Sequence, residues 1–285
     1  MAHFQEKVIV TCAITGVLAN RKQCPYIPYT PREIADEVLR SYNAGASVVH
    51  IHGREADGSP SWRVEIFSEI ASLVRACCPV ILNFSTGALE KDTSLQEKII
   101  REVKPEIAAL NMGTMNYAKY SKERQEFVFD FVFENTFGKI QRLLTVMNEA
   151  GVKPELECFD AGHTNSIWPF YHQGVLKKPT QFSFIMGVLG GLPTTIEALQ
   201  LQKSIIPSDA TWEVIGIGKE QWRLLACSLV LGGNIRVGLE DNFYLPSGEM
   251  ATSNAILVEQ AVRLTRSIGR EVATVKEARK ILAIL

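Results

Sequence analysis

Eight short runs of apolar, β-branched residues alternate with helical patterns along this chain, and that alternation narrows the possible folds more than any other feature. The runs fall at residues 8–15, 47–53, 79–85, 107–112, 154–160, 182–188, 212–217 and 235–239. Helical patterns follow at 31–43, 63–76, 95–103, 136–150, 167–173, 195–205, 221–231 and 254–268. Continuous apolar runs suit strands buried on both faces, and β–α alternation without hairpin signals implies parallel pairing. Eight such units close into a (β/α)8 TIM barrel of the α/β class. A doubly wound open sheet is the runner-up. It would normally have fewer strands and a glycine fingerprint after the first, where this chain has Thr15-Gly16-Val17-Leu18.

The helix ends carry their own punctuation. Thr30-Pro31 with Glu33 reads as a capping box with proline in the first turn. Gly45, Gly151, Gly232–Gly233 and Gly269 each follow the end of a helical pattern, where a left-handed residue is wanted. With 285 residues, 46% of them hydrophobic, and no linker or repeat, the chain 1–285 is expected to form a single catalytic domain.

The charge balance excludes some partners. Net charge is −1, from 30 basic and 31 acidic residues, so no nucleic-acid footprint and no electrostatic membrane contact is expected. The opening residues 1–7 are polar, and 8–14 is too short for a signal sequence with its cleavage site. No apolar run reaches the length of a membrane span, and the protein is expected in the cytoplasm. Cys12, Cys24, Cys77, Cys78, Cys158 and Cys227 form no C-x-x-C pair and read as small hydrophobes in a reducing compartment.

In such a barrel the reactive groups gather at the C-terminal ends of the strands. The second run ends in His50-Ile51-His52, and residues two apart on a strand face the same side. Two neutral imidazoles at that spacing suit zinc or a similar divalent metal, which needs about three protein ligands and an open position. The last run finishes with Glu240-Asp241, and closure of the barrel brings it beside the first and second strands. Adjacent strand residues point oppositely, so both carboxylates enter one site only if the chain turns there. The expected division is Glu240 as metal ligand and Asp241 as general base, with Arg236 lower on the strand orienting Asp241.

Other strand ends supply donors and acids. Asn83-Phe84-Ser85-Thr86-Gly87 and Asn111-Met112-Gly113-Thr114 offer hydroxyl and N–H groups for a carboxylate or an enolate oxygen. The fifth run offers Glu157 or Asp160 as a supporting acid, whereas His163 and His172 read as loop or helix residues. Gly187, Gly190, Gly191, Gly216 and Gly218 either let a phosphorylated cofactor approach the backbone, with Lys219 as a point charge, or simply serve tight turns.

These residues give the chain a likeness that runs nearly end to end. It resembles the β-keto acid cleavage enzymes, whose founding activity is 3-keto-5-aminohexanoate cleavage. The likeness is carried by Ala13-Ile14-Thr15-Gly16, Tyr29-Thr30-Pro31, Ala44-Gly45-Ala46, His50-Ile51-His52, Ser85-Thr86-Gly87, Leu110-Asn111 with Gly113-Thr114, and Gly216-Ile217-Gly218. The most specific stretch is Arg236-Val237-Gly238-Leu239-Glu240-Asp241-Asn242, followed by Ser253-Asn254-Ala255. The resemblance implies a homotetramer of barrels with Zn2+ held by His50, His52 and Glu240. It further implies catalysis by Asp241 assisted by Arg236, and substrate contacts from Ser85, Gly87 and Thr114. The implied reaction converts a β-keto acid plus acetyl-CoA, the co-substrate, into acetoacetate and a new acyl-CoA.

One departure bears on the substrate. Where the founding enzymes carry a glutamate soon after the first Thr-Gly, able to pair with the substrate amine, this chain has Leu18. An ammonium facing Leu18 loses that partner, so the expected substrate lacks the 5-amino group and has an apolar or neutral tail. Arg21 and Lys22 keep an anionic tail open. Two rival readings remain, a zinc-dependent aldolase or lyase needing no acetyl-CoA, and a metabolite-binding barrel that has lost catalysis.

Overall fold

The computed structural model describes residues 7–88 and 92–284. Residues 1–6, most of the polar opening segment, lie outside the described residues.

The expected barrel is present. Its strands are β1 (Val10–Ala13), β2 (Val48–Ile51), β3 (Ile81–Phe84) and β4 (Ile107–Asn111), then β7 (Lys153–Cys158), β8 (Gln181–Met186), β9 (Thr211–Gly216) and β10 (Asn234–Val237). They pair in parallel and close in the order β1-β10-β9-β8-β7-β4-β3-β2. Thr11 lies opposite both Arg236 on β10 and Val48 on β2, so the first strand seams the barrel shut. β5 (Met115–Ser121) and β6 (Glu126–Phe133) are not barrel strands. They form an antiparallel hairpin inserted after β4, which corrects the expectation of uninterrupted β–α alternation.

The helices are α1 (Pro31–Ala44), α2 (Val64–Cys77), α3 (Ser94–Val103), α4 (Phe137–Ala150), α5 (Ala161–Asn165), α6 (Trp168–His172), α7 (Ile196–Ile205), α8 (Gln221–Val230), α9 (Asn254–Ser267) and α10 (Val275–Ile281). The capping box at Thr30 forms, and Gly45 ends α1 at φ +119°, where a Cβ would strain the backbone. The helical pattern at 167–173 is present as α6, and a further short helix, α5, precedes it, capped by Asp160, which accepts from His163 N at 2.8 Å. No helix among the described residues is long and apolar enough to cross a membrane.

The barrel interior is layered, as side chains two apart along each strand point inward. The lowest layer is Ile9, Val48, Ile81 and Ile107, plugged from below by Ala278 and Leu282 of and just after α10. This closing helix falls beyond the last helical pattern read from the sequence. Above lies a polar layer. Ser183 Oγ bonds Glu155 Oε1 at 2.6 Å and Glu213 Oε1 at 3.1 Å, Thr11 Oγ1 donates to Glu213 Oε2 at 2.7 Å, and Asn83 Nδ2 donates to Glu155. Two buried carboxylates sharing one hydroxyl favour holding a proton, and burial, then Glu155, raises Glu213 well above the usual carboxylate range. The next layer up opens at the mouth.

Candidate active site

The mouth is built around a turn. Gly238 follows β10 with φ +142°, and an added Cβ would lie 2.1 Å from Ala13 O. Only glycine fits, and from it the chain folds back, with Asp241 N and Asn242 N both donating to Gly238 O at 3.1 Å. This is the turn the sequence required for Glu240 and Asp241 to share a site. Asn254, at the start of α9, fastens it: Oδ1 accepts from Leu239 N at 2.7 Å while Nδ2 donates to Ile14 O at 3.2 Å.

Arg236, 2% exposed, lies at the centre. Its Nε donates to Asp241 Oδ2 at 2.9 Å and its Nη2 to Asp241 Oδ1 at 2.9 Å, a two-pronged grip. The same Nη2 reaches Glu240 Oε1 at 2.6 Å. Nη1 makes no hydrogen bond among the described residues and has Glu157 Oε1 3.7 Å away. Burial opposes the guanidinium's charge, but Asp241 and then Glu240 hold its pKa well above the ordinary value.

The acids around it differ. For Glu240, burial is outweighed by Arg236, then His50 and His52, and its carboxyl is held well below the usual range. Burial pushes Asp241 up to about 6 despite Arg236, the neighbouring Glu240 adding to the rise. Burial, then Glu155, lifts Glu157 to about 8. One carboxylate is thus firmly ionised while its neighbour is nearer to exchanging a proton at neutral pH, the usual sign of divided roles.

His50 and His52 face this turn. His50 Nε2 lies 3.6 Å and His52 Nε2 3.4 Å from Glu240 Oε1, and the three side chains form a group able to hold a metal ion. A tetrahedral zinc site with bonds of about 2.1 Å has donor–donor edges of about 3.4 Å, so the set fits. Burial, then Arg236, keeps His50 well below the normal histidine pKa, which leaves the neutral imidazole that a metal requires. Thr15, just after β1, aligns His52, accepting from His52 N at 3.0 Å and donating to His52 O at 3.1 Å. Glu240 Oε2 accepts from Gly16 N at 3.0 Å, which leaves Oε1 toward the imidazoles. A second group, His50 with Glu155 and Glu157, also comes close, but Glu155 is engaged in the polar layer below.

Ser85, Gly87 and Thr114 ring the same mouth from β3 and β4. Ser85 N bonds Ile51 O at 3.1 Å, beside His52, and Gly87 N donates to Ser85 Oγ at 3.2 Å. Thr114 Oγ1 accepts from Asn135 N at 2.8 Å, which leaves its own O–H to donate. Asp160 is occupied as the α5 cap, so Glu157 is the acid that joins Arg236. His163 is buried with Nε2 3.3 Å from Thr114 O, and His172 lies on α6 with its ring 5.9 Å from that of Trp168. Leu18 stands 54% exposed on the loop after β1.

The glycines resolve mainly as packing. A Cβ on Gly190 would fall 1.8 Å from Asn116 O of the hairpin, one on Gly191 2.7 Å from Phe159 O, and one on Gly216 2.7 Å from Gln221 Cα. Gly187 would meet Thr194 at 2.9 Å. Gly218 alone of the set has open space, and Lys219 beside it lies over the Tyr244 ring at 4.5 Å.

Two contributors were not read from the sequence. Arg54, fully buried, donates to the carbonyls of Thr15, Gly16, Ala19 and Gly58, and so shapes the loop after β1. It continues the period of His50 and His52, which was the available signal. The hairpin is the other. With Phe159, Ile185 and Ile215 from the ends of β7, β8 and β9, its Met115 and Phe133 form an apolar wall across the mouth from the imidazoles, and Tyr117 packs against it.

A sequence profile described as beta-keto acid cleavage enzyme matches residues 7–284. The chain is 39% identical over 280 residues to a 3-keto-5-aminohexanoate cleavage enzyme of Fusobacterium nucleatum, covering 98% of each chain. It is 32% identical to a 3,5-dioxohexanoate:acetyl-CoA acetone transferase of Paraburkholderia graminis, covering 98% of this chain and 96% of that one. Among solved structures, the binary complex of ObcA with oxaloacetate superposes with TM-score 0.78 at 20% identity, over 91% of this chain and 68% of that one, a likeness of fold.

Proposed function

This chain belongs to the beta-keto acid cleavage enzyme family and is an acyltransferase, and from that premise we propose that it condenses a β-keto acid with acetyl-CoA to give acetoacetate and a new acyl-CoA. The observation that carries the reading is the single turn at Gly238, which presents Asp241 in the grip of Arg236 beside a His50–His52–Glu240 donor set.

Each residue then has a task. His50, His52 and Glu240 would hold zinc, which when bound supplies Lewis-acid polarisation of the substrate's keto oxygen. Ser85, Gly87 and Thr114 orient the keto acid. Asp241, kept in register by Arg236, removes a proton from the carbon between the keto and carboxylate groups. That carbon attacks the acetyl carbonyl and CoA leaves as the thiolate. The thiolate attacks the original keto carbon, the bond between the former α- and keto carbons breaks, and the carbanion left on the former α-carbon takes the proton back from Asp241 to give acetoacetate. Glu157 is the buried acid that holds a proton beside Arg236. No protein nucleophile takes part.

The substrate is a β-keto acid without the 5-amino group and with an uncharged tail. Leu18 supports this, and so does the apolar wall of Phe159, Ile185 and Ile215. The assembly proposed is a homotetramer, tested by mass in solution. The reaction is tested by incubating zinc-loaded protein with a β-keto acid, with and without acetyl-CoA. Acetoacetate and acyl-CoA forming only with acetyl-CoA is the expected result, whereas keto acid consumption without it would make the enzyme a lyase.

A further inference from the structure

The hairpin that interrupts the barrel brings one polar group into an apolar surface. It is seated firmly: its Asn116 carbonyl occupies the space a side chain at residue 190 would fill, and Ala118 N bonds Leu189 O at 3.4 Å. From it Tyr117 points its ring among aromatic partners. The ring stacks on Phe131 at 5.4 Å and 5°, and meets Phe133 and Phe159 edge-on at 6.0 and 5.9 Å. Phe159 directly follows β7 on the inward period of Glu155 and Glu157, so this stack belongs to the mouth rather than to the outer surface.

The Tyr117 hydroxyl meets no hydrogen-bond partner among the described residues, although four aromatic neighbours fix the ring. Burial, and then the charges of Glu240, Asp241 and Glu157, push its ionisation above the ordinary phenol value, so it presents an O–H. The ring is half-buried, and its position in the stack holds the hydroxyl as a fixed donor that a ligand entering the mouth can use.

Resting on the reading of function above, we propose that Tyr117 is a specificity-determining residue that donates a hydrogen bond to the keto acid's tail. The preferred substrate class is accordingly a β-keto acid whose tail is uncharged but carries a neutral oxygen acceptor beyond the keto group. The apolar wall excludes an ammonium or carboxylate there, and the phenol distinguishes an oxygenated tail from a plain hydrocarbon one.

Tyr117→Phe tests this, because it removes the O–H and keeps the ring stack. The zinc-loaded enzyme is assayed with acetyl-CoA and 3-oxohexanoate, and with its 5-oxo and 5-hydroxy counterparts, alongside equilibrium binding of each acid alone. The wild type is expected to favour an oxygenated acid by about tenfold in kcat/KM and in affinity, the worth of one hydrogen bond to a site built for it. In Tyr117→Phe that preference should vanish, with the 3-oxohexanoate value held within about threefold. An unchanged preference in Tyr117→Phe, or no preference in an active wild type, overturns the role of Tyr117 alone. A wild type that converts none of the acids with acetyl-CoA overturns the functional reading beneath it.

Discussion

Asp241 sits in the fork of Arg236, its two carboxylate oxygens each 2.9 Å from a different nitrogen of one guanidinium. Planar two-point contact fixes direction as well as distance, which a lysine cannot reproduce. Arg236→Lys should therefore keep a charge but lose the alignment of the base. A fall in kcat of about a hundredfold is expected, within the range a positioned general base contributes, with far less change in keto acid affinity. Steady-state kinetics on the purified variant checks it, and a kcat within about threefold of wild type would contradict it.

The donor set makes a prediction about metal. Purified protein should carry about one divalent ion per chain, zinc by preference, and His52→Ala should lose most of it, since three protein ligands are the minimum for such a site. Elemental analysis by mass spectrometry reads this directly. Chelation should abolish activity and zinc should restore it. Full metal content in the His52→Ala variant would remove this histidine from the ligand set.

Gly238 offers a test of the turn. Alanine there places a methyl 2.1 Å from Ala13 O at a φ of +142°. Gly238→Ala should cost about 3 kcal/mol or more, through a shifted first strand and strained backbone. A lower thermal midpoint together with lost metal binding is expected, because Glu240 rides on the same turn. An alanine variant as stable as wild type would contradict the packing described.

Lys153 provides a pH signature away from the site. Burial, and then Lys177, lowers its pKa to about 8 from a usual 10.5, and its Nζ donates to Pro179 O at 2.7 Å. Between these two values the unfolded chain binds more protons than the folded one, so this residue makes stability rise as pH increases from about 8 to 10.5. Below about 8 both states are charged and the burial cost is at its full value. Denaturant titrations of wild type and Lys153→Met across this window should show a steeper rise in the wild type. Parallel curves would remove Lys153 as the cause.

The barrel was legible because its strands are apolar on both faces and its helices carry their own caps, both local properties. His50 and His52 were legible for the same kind of reason, a period of two at a strand end. Glu155, Ser183 and Glu213 were not, since Ser183 and Glu213 are lone polar residues in apolar runs, Glu155 sits low on its strand below Glu157, and the partners lie about thirty residues apart. The hairpin was missed because 115–133 has charged residues at its tip and no glycine turn. Its seat is provided by Gly190, some sixty residues later. Asn254 was noticed only as part of a motif, and its role appears when Leu239 N and Ile14 O are brought to it from opposite ends of the chain.

The central claim is that Asp241 drives carbon–carbon bond formation between the keto acid and the acetyl group of acetyl-CoA. The direct test supplies acetyl-CoA labelled with carbon-13 in both acetyl carbons and follows the label by mass spectrometry in the wild type and in Asp241→Asn. The account predicts that the wild type yields acetoacetate labelled only in its methyl and keto carbons, with an unlabelled new acyl-CoA. It predicts that Asp241→Asn slows this by about a thousandfold with its metal still bound. Unlabelled acetoacetate, label in the new acyl group, or undiminished turnover in Asp241→Asn would contradict it.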